Sequence, residues 1–157
     1  MFFLKKHQIN ETMKYVPLII LLTAIMLLTG CKSKKVPTVT YSDLYGSWSV
    51  IEVNGEKVNE EKTQQMLEFD TLRKLLSGNA GCNRLFGKIE YQESQKNIIR
   101  FLQVSTTRMT CPQQKEENDF LEALKNVVRF APESVATTDT IAFYGTNNAK
   151  LMVLRKK

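Results

Sequence analysis

Residues 116–130 read EENDFLEALKNVVRF. Phe120, Leu121, Leu124, Val127 and Val128 recur there at the i, i+3, i+4, i+7 spacing of one helix face. Pro112, just upstream, suits a helix start. Glu116, Glu117, Asp119 and Glu122 lie in the early part of this helix, where negative charge complements the helix dipole; they do not form a catalytic pair. The spacing predicts one amphipathic helix over 116–130, and it is the exception among the short apolar runs that follow residue 40.

On the amino-terminal side, 48–53 (WSVIEV) is aromatic and β-branched, and Asn54-Gly55 after it is a strong hairpin signal, with Lys57-Val58 starting the return. Further strands are expected at 66–69, 73–77, 85–91, 98–102, 140–144 and 150–155, most separated by polar or Gly/Asn-containing turns. One helix set among antiparallel-type strands predicts a small α+β, β-rich domain. Its curved antiparallel sheet or split barrel would be covered by the helix, since so apolar a sheet face needs a cover.

The first thirty residues have another purpose. Residues 16–28 (VPLIILLTAIMLL) form an uncharged apolar run of thirteen, preceded by Lys14 and followed by Thr29 and Gly30. That is the charged, apolar, small-residue order of a secretory signal. The run falls short of the roughly 20 apolar residues that cross a bilayer core. Leu28-Thr29-Gly30-Cys31 resembles the bacterial lipobox, which implies cleavage before Cys31 and acylation of that cysteine. Several acyl chains make a stable membrane anchor where one does not.

The expected organisation is a signal peptide over 1–30, a lipidated tether over 31–42 and one domain over 43–157. Translation is expected to start at Met13, since a compact signal begins there and 1–12 add charged and polar residues it does not need. Lys32, Lys34 and Lys35 stand beside the lipid, where each base contributes about 1 kcal/mol of attraction to an anionic bilayer. In many diderm bacteria Asp directly after the lipidated cysteine retains the protein in the inner membrane. Lys32 at that place directs the expectation to the outer membrane, with the leaflet open.

The mature chain of 127 residues is long enough for one domain with its own core. Its nineteen basic and fifteen acidic side chains balance at only +4, without an arginine-rich block, and export argues against nucleic acid. The single histidine, His7, precedes the cut. That removes Ser-His and Cys-His catalysis, histidine metal sites and the commonest neutral-pH base from the mature chain.

Gly78-Asn79-Ala80-Gly81-Cys82-Asn83 packs glycines and asparagines around a cysteine, and Gly87 follows. Such residues permit positive φ and close backbone approach. Farther on stands Thr106-Thr107-Arg108-Met109-Thr110-Cys111, then acidic residues leading into Phe120, Leu121 and Leu124. These two motifs, GxxGCNxxxG and TTRMxC, followed by a helix, resemble the META/HslJ family over roughly 44–154. The resemblance implies a split barrel with a packed helix, and an envelope or secreted protein associated with stress and envelope properties rather than an established reaction. Ile89 stands where an aromatic residue is common in the family, and Thr110 replaces a frequent alanine.

With Cys31 lipidated, Cys82 and Cys111 remain as an even pair in an oxidising compartment. A structural disulfide closing about 30 residues and worth roughly 3–4 kcal/mol is the leading reading. A redox pair lacks the usual CxxC, and a metal site lacks further ligands. Thr106, Thr107 and Arg108 form a candidate recognition edge, Arg108 offering a planar fork to carboxylate or phosphate. They serve equally as strand and capping residues, with Arg108 paired to a helix acid. Trp48 and Phe143 line either a ligand cavity or the core.

The function expected is a non-enzymatic, membrane-anchored envelope lipoprotein acting in binding or stress tolerance, without cofactor or metal. Its partners would be the membrane, through lipid on Cys31, and an unknown envelope protein or small apolar ligand. A carrier or chaperone for an apolar molecule in a partly closed barrel is the alternative, and a thiol oxidoreductase using Cys82 and Cys111 stands behind it.

Overall fold

The computed structural model describes residues 38–134 and 138–157. The signal segment, Cys31 and the tether up to residue 37 lie outside the described residues. Within them the chain forms strands β1 (Gly46–Val53), β2 (Glu56–Lys57), β3 (Met66–Asp70), β4 (Leu75–Asn79), β5 (Arg84–Tyr91), β6 (Ile99–Thr106), β7 (Arg129–Pro132), β8 (Thr140–Tyr144) and β9 (Lys150–Lys156). A one-turn helix α1 (Glu60–Thr63) follows β2, and the main helix α2 (Gln114–Lys125) joins β6 to β7. Short 3-10 turns occupy Tyr41–Leu44 and Thr146–Asn148.

The sheet runs β6-β5-β4-β3-β1-β9-β8-β7, with β2 paired on β1, and every strand pair is antiparallel. Its two edges curl toward each other. The Phe130 N–H donates to the Asn97 carbonyl at 2.9 Å and the Ile99 N–H to the Val128 carbonyl at 3.1 Å, a short bridge that joins the β6 and β7 ends. The result is a split half-barrel, and α2 packs against β6, β9 and β1.

β1 shows how local sequence builds this curve. Trp48, Val50 and Val53 are buried, a pattern that breaks strict alternation. Ile51 is an extra residue opposite β9, between the pairs Val50–Leu154 and Glu52–Val153. A bulge of this kind bends the strand and moves the inward phase by one residue, so Val53 rather than Glu52 faces in. Asn54 and Gly55 then take φ of 50° and 86°, as a two-residue hairpin requires. The return strand starts at Glu56, one residue before the expected Lys57-Val58.

β8 runs over the expected 140–144, while three other elements differ from expectation for physical reasons. β4 starts at Leu75 rather than Arg73, because Asp70 Oδ1 accepts the Arg73 N–H at 2.9 Å and Lys74 takes φ of 56°, making 71–74 a tight turn. β6 continues past Leu102 to Thr106 through a bulge at Gln103, φ 53°. The helix ends at Lys125, not at Phe130. The Asn126 N–H closes onto the Ala123 and Leu124 carbonyls, and the β-branched pair Val127-Val128 leaves the helix for the sheet. Apolar residues at 124, 127 and 128 satisfy helical spacing as well as a turn into a strand. β7, which covers the free edge of β8, decides between the two.

The interior is aromatic. Phe143 sits 5.6 Å from Phe101, 6.0 Å from Phe69 and 6.5 Å from Phe130 between ring centroids, within the range of favourable tilted pairs. Trp48 is fully enclosed, and its indole N–H donates to the Leu44 carbonyl at 2.8 Å. Trp48 and Phe143 are therefore core residues.

Tyr41 stacks on Tyr91 at 4.0 Å, yet its enclosed hydroxyl has no hydrogen-bond partner among the described residues. Burial, then the charge of Asp70, then Tyr91, push its pKa up to about 12. A raised folded-state pKa contributes stability below the unfolded value near 10, and that contribution is lost as pH rises from 10 to 12. Tyr41→Phe should melt at the same temperature or slightly higher at neutral pH, and should lose less stability than wild type between pH 10 and 12. Matched thermal melts across that range check this.

Candidate functional site

The Gly78–Asn83 motif begins inside β4. A Cβ on Gly78 would overlap the Met66 carbonyl oxygen of β3, so only glycine lets the two backbones pair there. Gly81, at φ 122°, then turns the chain while Asn79 Oδ1 accepts its N–H at 2.9 Å. This turn delivers Asn83, 3 % exposed, to the head of β5.

Every hydrogen-bonding position of the Asn83 amide is used. Its Nδ2 donates to the Met109 carbonyl and to Glu117 Oε2, both at 3.1 Å. Its Oδ1 accepts the Thr107 hydroxyl at 2.8 Å and the Met109 N–H at 2.7 Å. The two sequence motifs and α2 thus meet on one side chain. Glu117, 1 % exposed, is the buried carboxylate of the junction. Gln65 adds a parallel link, its Nε2 donating to the Ala80 carbonyl at 3.0 Å and the Glu116 carbonyl at 3.1 Å. Cys82 and Cys111 are joined by an S–S bond beside this junction, with Cα atoms 6.2 Å apart, within the span a disulfide bridges.

The candidate recognition residues separate. Thr106 ends β6 opposite Leu85, Thr107 turns its hydroxyl inward to Asn83, and the exposed Arg108 has no ion-pair partner among the described residues. The helix acids are engaged elsewhere: Glu116 with Lys62 at 3.2 Å, Asp119 with Lys115 at 2.6 Å, Glu117 with Asn83. The Glu116 carboxyl is held below its usual range by its own backbone N–H and then by Lys62, and Asp119 raises Lys115. Among the described residues no three His, Cys, Asp or Glu side chains converge as metal ligands.

The junction fixes α2 beside the β1–β2 hairpin and α1, and a cleft of about 530 Å³ opens between them. Val53, Val58, Thr63 and Gln65 line its base, and Lys57, Lys62, Lys115, Glu56, Glu116 and Asp119 carry charge around it. Sequence reasoning missed this cleft and the polar junction. One signal was present: Glu117 lies three residues before Phe120 and seven before Leu124, in phase with the apolar face, where a carboxylate needs a buried partner.

A half-barrel of antiparallel strands with one covering helix defines a small α+β domain built around a polar seam. The META domain family model matches residues 42–157, and the chain belongs to that family. Two solved structures share the fold. An NMR structure of a protein from Burkholderia xenovorans matches at TM-score 0.57 and 18 % identity, covering 82 % of this chain and 96 % of that one. A crystal structure of a DUF4847 family protein from Bacteroides vulgatus matches at TM-score 0.50 and 13 % identity, covering 73 % and 94 %. No curated protein matches the sequence.

Replacing Asn83 by Ala orphans the Met109 backbone groups and the buried Glu117, at about 1–3 kcal/mol for each unsatisfied group. The expected loss is at least about 3 kcal/mol, against about 1 kcal/mol for Thr107→Val. Replacing both Cys82 and Cys111 by Ala should cost about 3–4 kcal/mol, given the 29-residue separation. Denaturant unfolding of the three variants measures all of these.

Proposed function

We propose that this META domain protein is an exported, non-enzymatic lipoprotein, cut before Cys31 and lipid-anchored in the envelope, at the outer membrane rather than the inner. In this reading the domain binds an envelope protein in the cleft between α1, α2 and the β1–β2 hairpin and contributes to stress tolerance. The lipobox-like Leu28-Thr29-Gly30-Cys31 supports the anchor. Among the described residues no helix is long and apolar enough to cross a membrane.

The observation that carries the binding reading is the charge arrangement of the cleft. Lys62 and Glu116 are 54 % and 43 % exposed and pair with each other rather than converging on a reacting centre. Exposed pairs of this kind are worth at most about 1 kcal/mol, so a partner's charges exchange for them at little cost. A polypeptide segment carrying both signs, with apolar residues between, complements a base of Val53 and Val58 under rims of lysine and carboxylate.

Two measurements test the reading. Labelled palmitate should enter the wild-type protein and not Cys31→Ser; label in both removes the anchor. A photo-crosslinking residue at Lys57, in the cleft, should yield a discrete adduct in living cells, lost on Lys62→Ala/Glu116→Ala. The same probe at the exposed Lys125 should yield none. Equal adducts at the two positions, or none at Lys57, would refute cleft binding.

A further inference from the structure

We propose that the end of the half-barrel where the chain arrives from its tether seats on an anionic membrane surface, with Leu72 at the boundary between headgroups and acyl chains. The proposal rests on the lipid anchor at Cys31 and goes beyond it. An anchor by itself leaves the domain's orientation open.

Topology sets the location. β1 and β3 are antiparallel with Gly46 opposite Phe69, so the start of β1, where the chain comes in, lies at the same end as the β3–β4 turn. The turn is tied there directly. Lys74 Nζ reaches the Tyr91 carbonyl at 3.5 Å, and the Tyr91 ring stacks on Tyr41, at the start of the domain. From Cys31 to Thr38, the first described residue, seven residues can span at most roughly 25 Å. The anchor therefore holds this end close to the bilayer.

The chemistry of the turn suits that surface. Leu72 is 88 % exposed at its tip, and Arg73 and Lys74 follow it directly. Tyr45 and Leu75, also exposed, border a depression of about 330 Å³ that Phe86 closes on the outer face. Lys88 stands opposite both Leu75 and Leu102, so a cation sits within the apolar patch. Of the nearby acids, Asp70 faces Arg73 at 3.7 Å, Asp43 accepts the Thr40 hydroxyl, Glu68 borders the depression, Glu90 stands opposite Arg100, and Glu93 shares the adjacent β5–β6 turn with Lys96. Lys32, Lys34 and Lys35 follow Cys31 within four residues in sequence, so the proposed anchor carries positive charge of its own. Apolar side chains flanked by bases match an anionic bilayer, where each base strengthens attachment about fivefold.

The test uses the acylated protein purified from envelopes and reconstituted in vesicles of phosphatidylethanolamine and phosphatidylglycerol with brominated acyl chains. Wild type is its own control, because the single tryptophan, Trp48, is fully buried. Leu72→Trp adds a fluorophore at an exposed turn, and an unchanged melting temperature verifies its fold. Its emission should shift to the blue and be quenched well beyond wild type. Arg73→Gln/Lys74→Gln in the same background should weaken the seated state about thirtyfold and abolish most of that quenching. Protein that floats with the vesicles yet shows no quenching beyond wild type overturns the seat and leaves the anchor standing. Protein that does not float removes the anchor, and the seat with it.

Discussion

Four hydrogen bonds to the amide of Asn83 hold the head of β5 to a distant stretch of chain made of the loop before α2 and the first turn of α2 itself. An amide buried at 3 % exposure tolerates no missing partner at low cost, so the arrangement is all or nothing. The same holds for Glu117, whose carboxylate is the price of a helix that turns one acid inward. Gln65 and the Cys82–Cys111 bond fasten the seam from two further sides. Apolar packing explains why α2 covers the sheet; the polar seam explains its register against it.

That register shapes the surface. The first turns of α2 form one wall of the cleft, while the β1–β2 hairpin and α1 form the other. β1 spans the domain from the end where the chain arrives to the hairpin that lines the cleft, a strand of eight residues and thus about 26 Å. The cleft and the apolar, basic turn around Leu72 therefore lie toward opposite ends of β1. Under the proposed anchoring, the cleft would face away from the lipid, with the packed aromatic cluster of Phe69, Phe101, Phe130 and Phe143 between the two ends.

Much of the fold was legible along the chain. β8 and the Asn54-Gly55 hairpin were readable because a short β-branched and aromatic run and turn chemistry are local properties. The helix was readable from Phe120 to Leu124 but not its end, since Val127 and Val128 continue its spacing while the Val128 backbone already bonds to Tyr144 and Ile99 of the sheet. The extension of β6 to Thr106 was hidden because its outward residues are polar and Gln103 bulges, which erases the alternation.

The sequence by itself determined the class of domain, the two motifs of the META family and the pairing candidates Cys82 and Cys111. Each rests on residue types that act through neighbours a few positions away, or on a count of cysteines. Only the tertiary structure decided that Thr107 turns inward while Arg108 stays free among the described residues, that Asn83 and Glu117 find each other, and that Lys57 and Lys115 face one cleft. Those outcomes depend on which distant backbones approach within hydrogen-bonding distance. That is set by the bulges, the glycine contact at Gly78 and the curl of the sheet acting together.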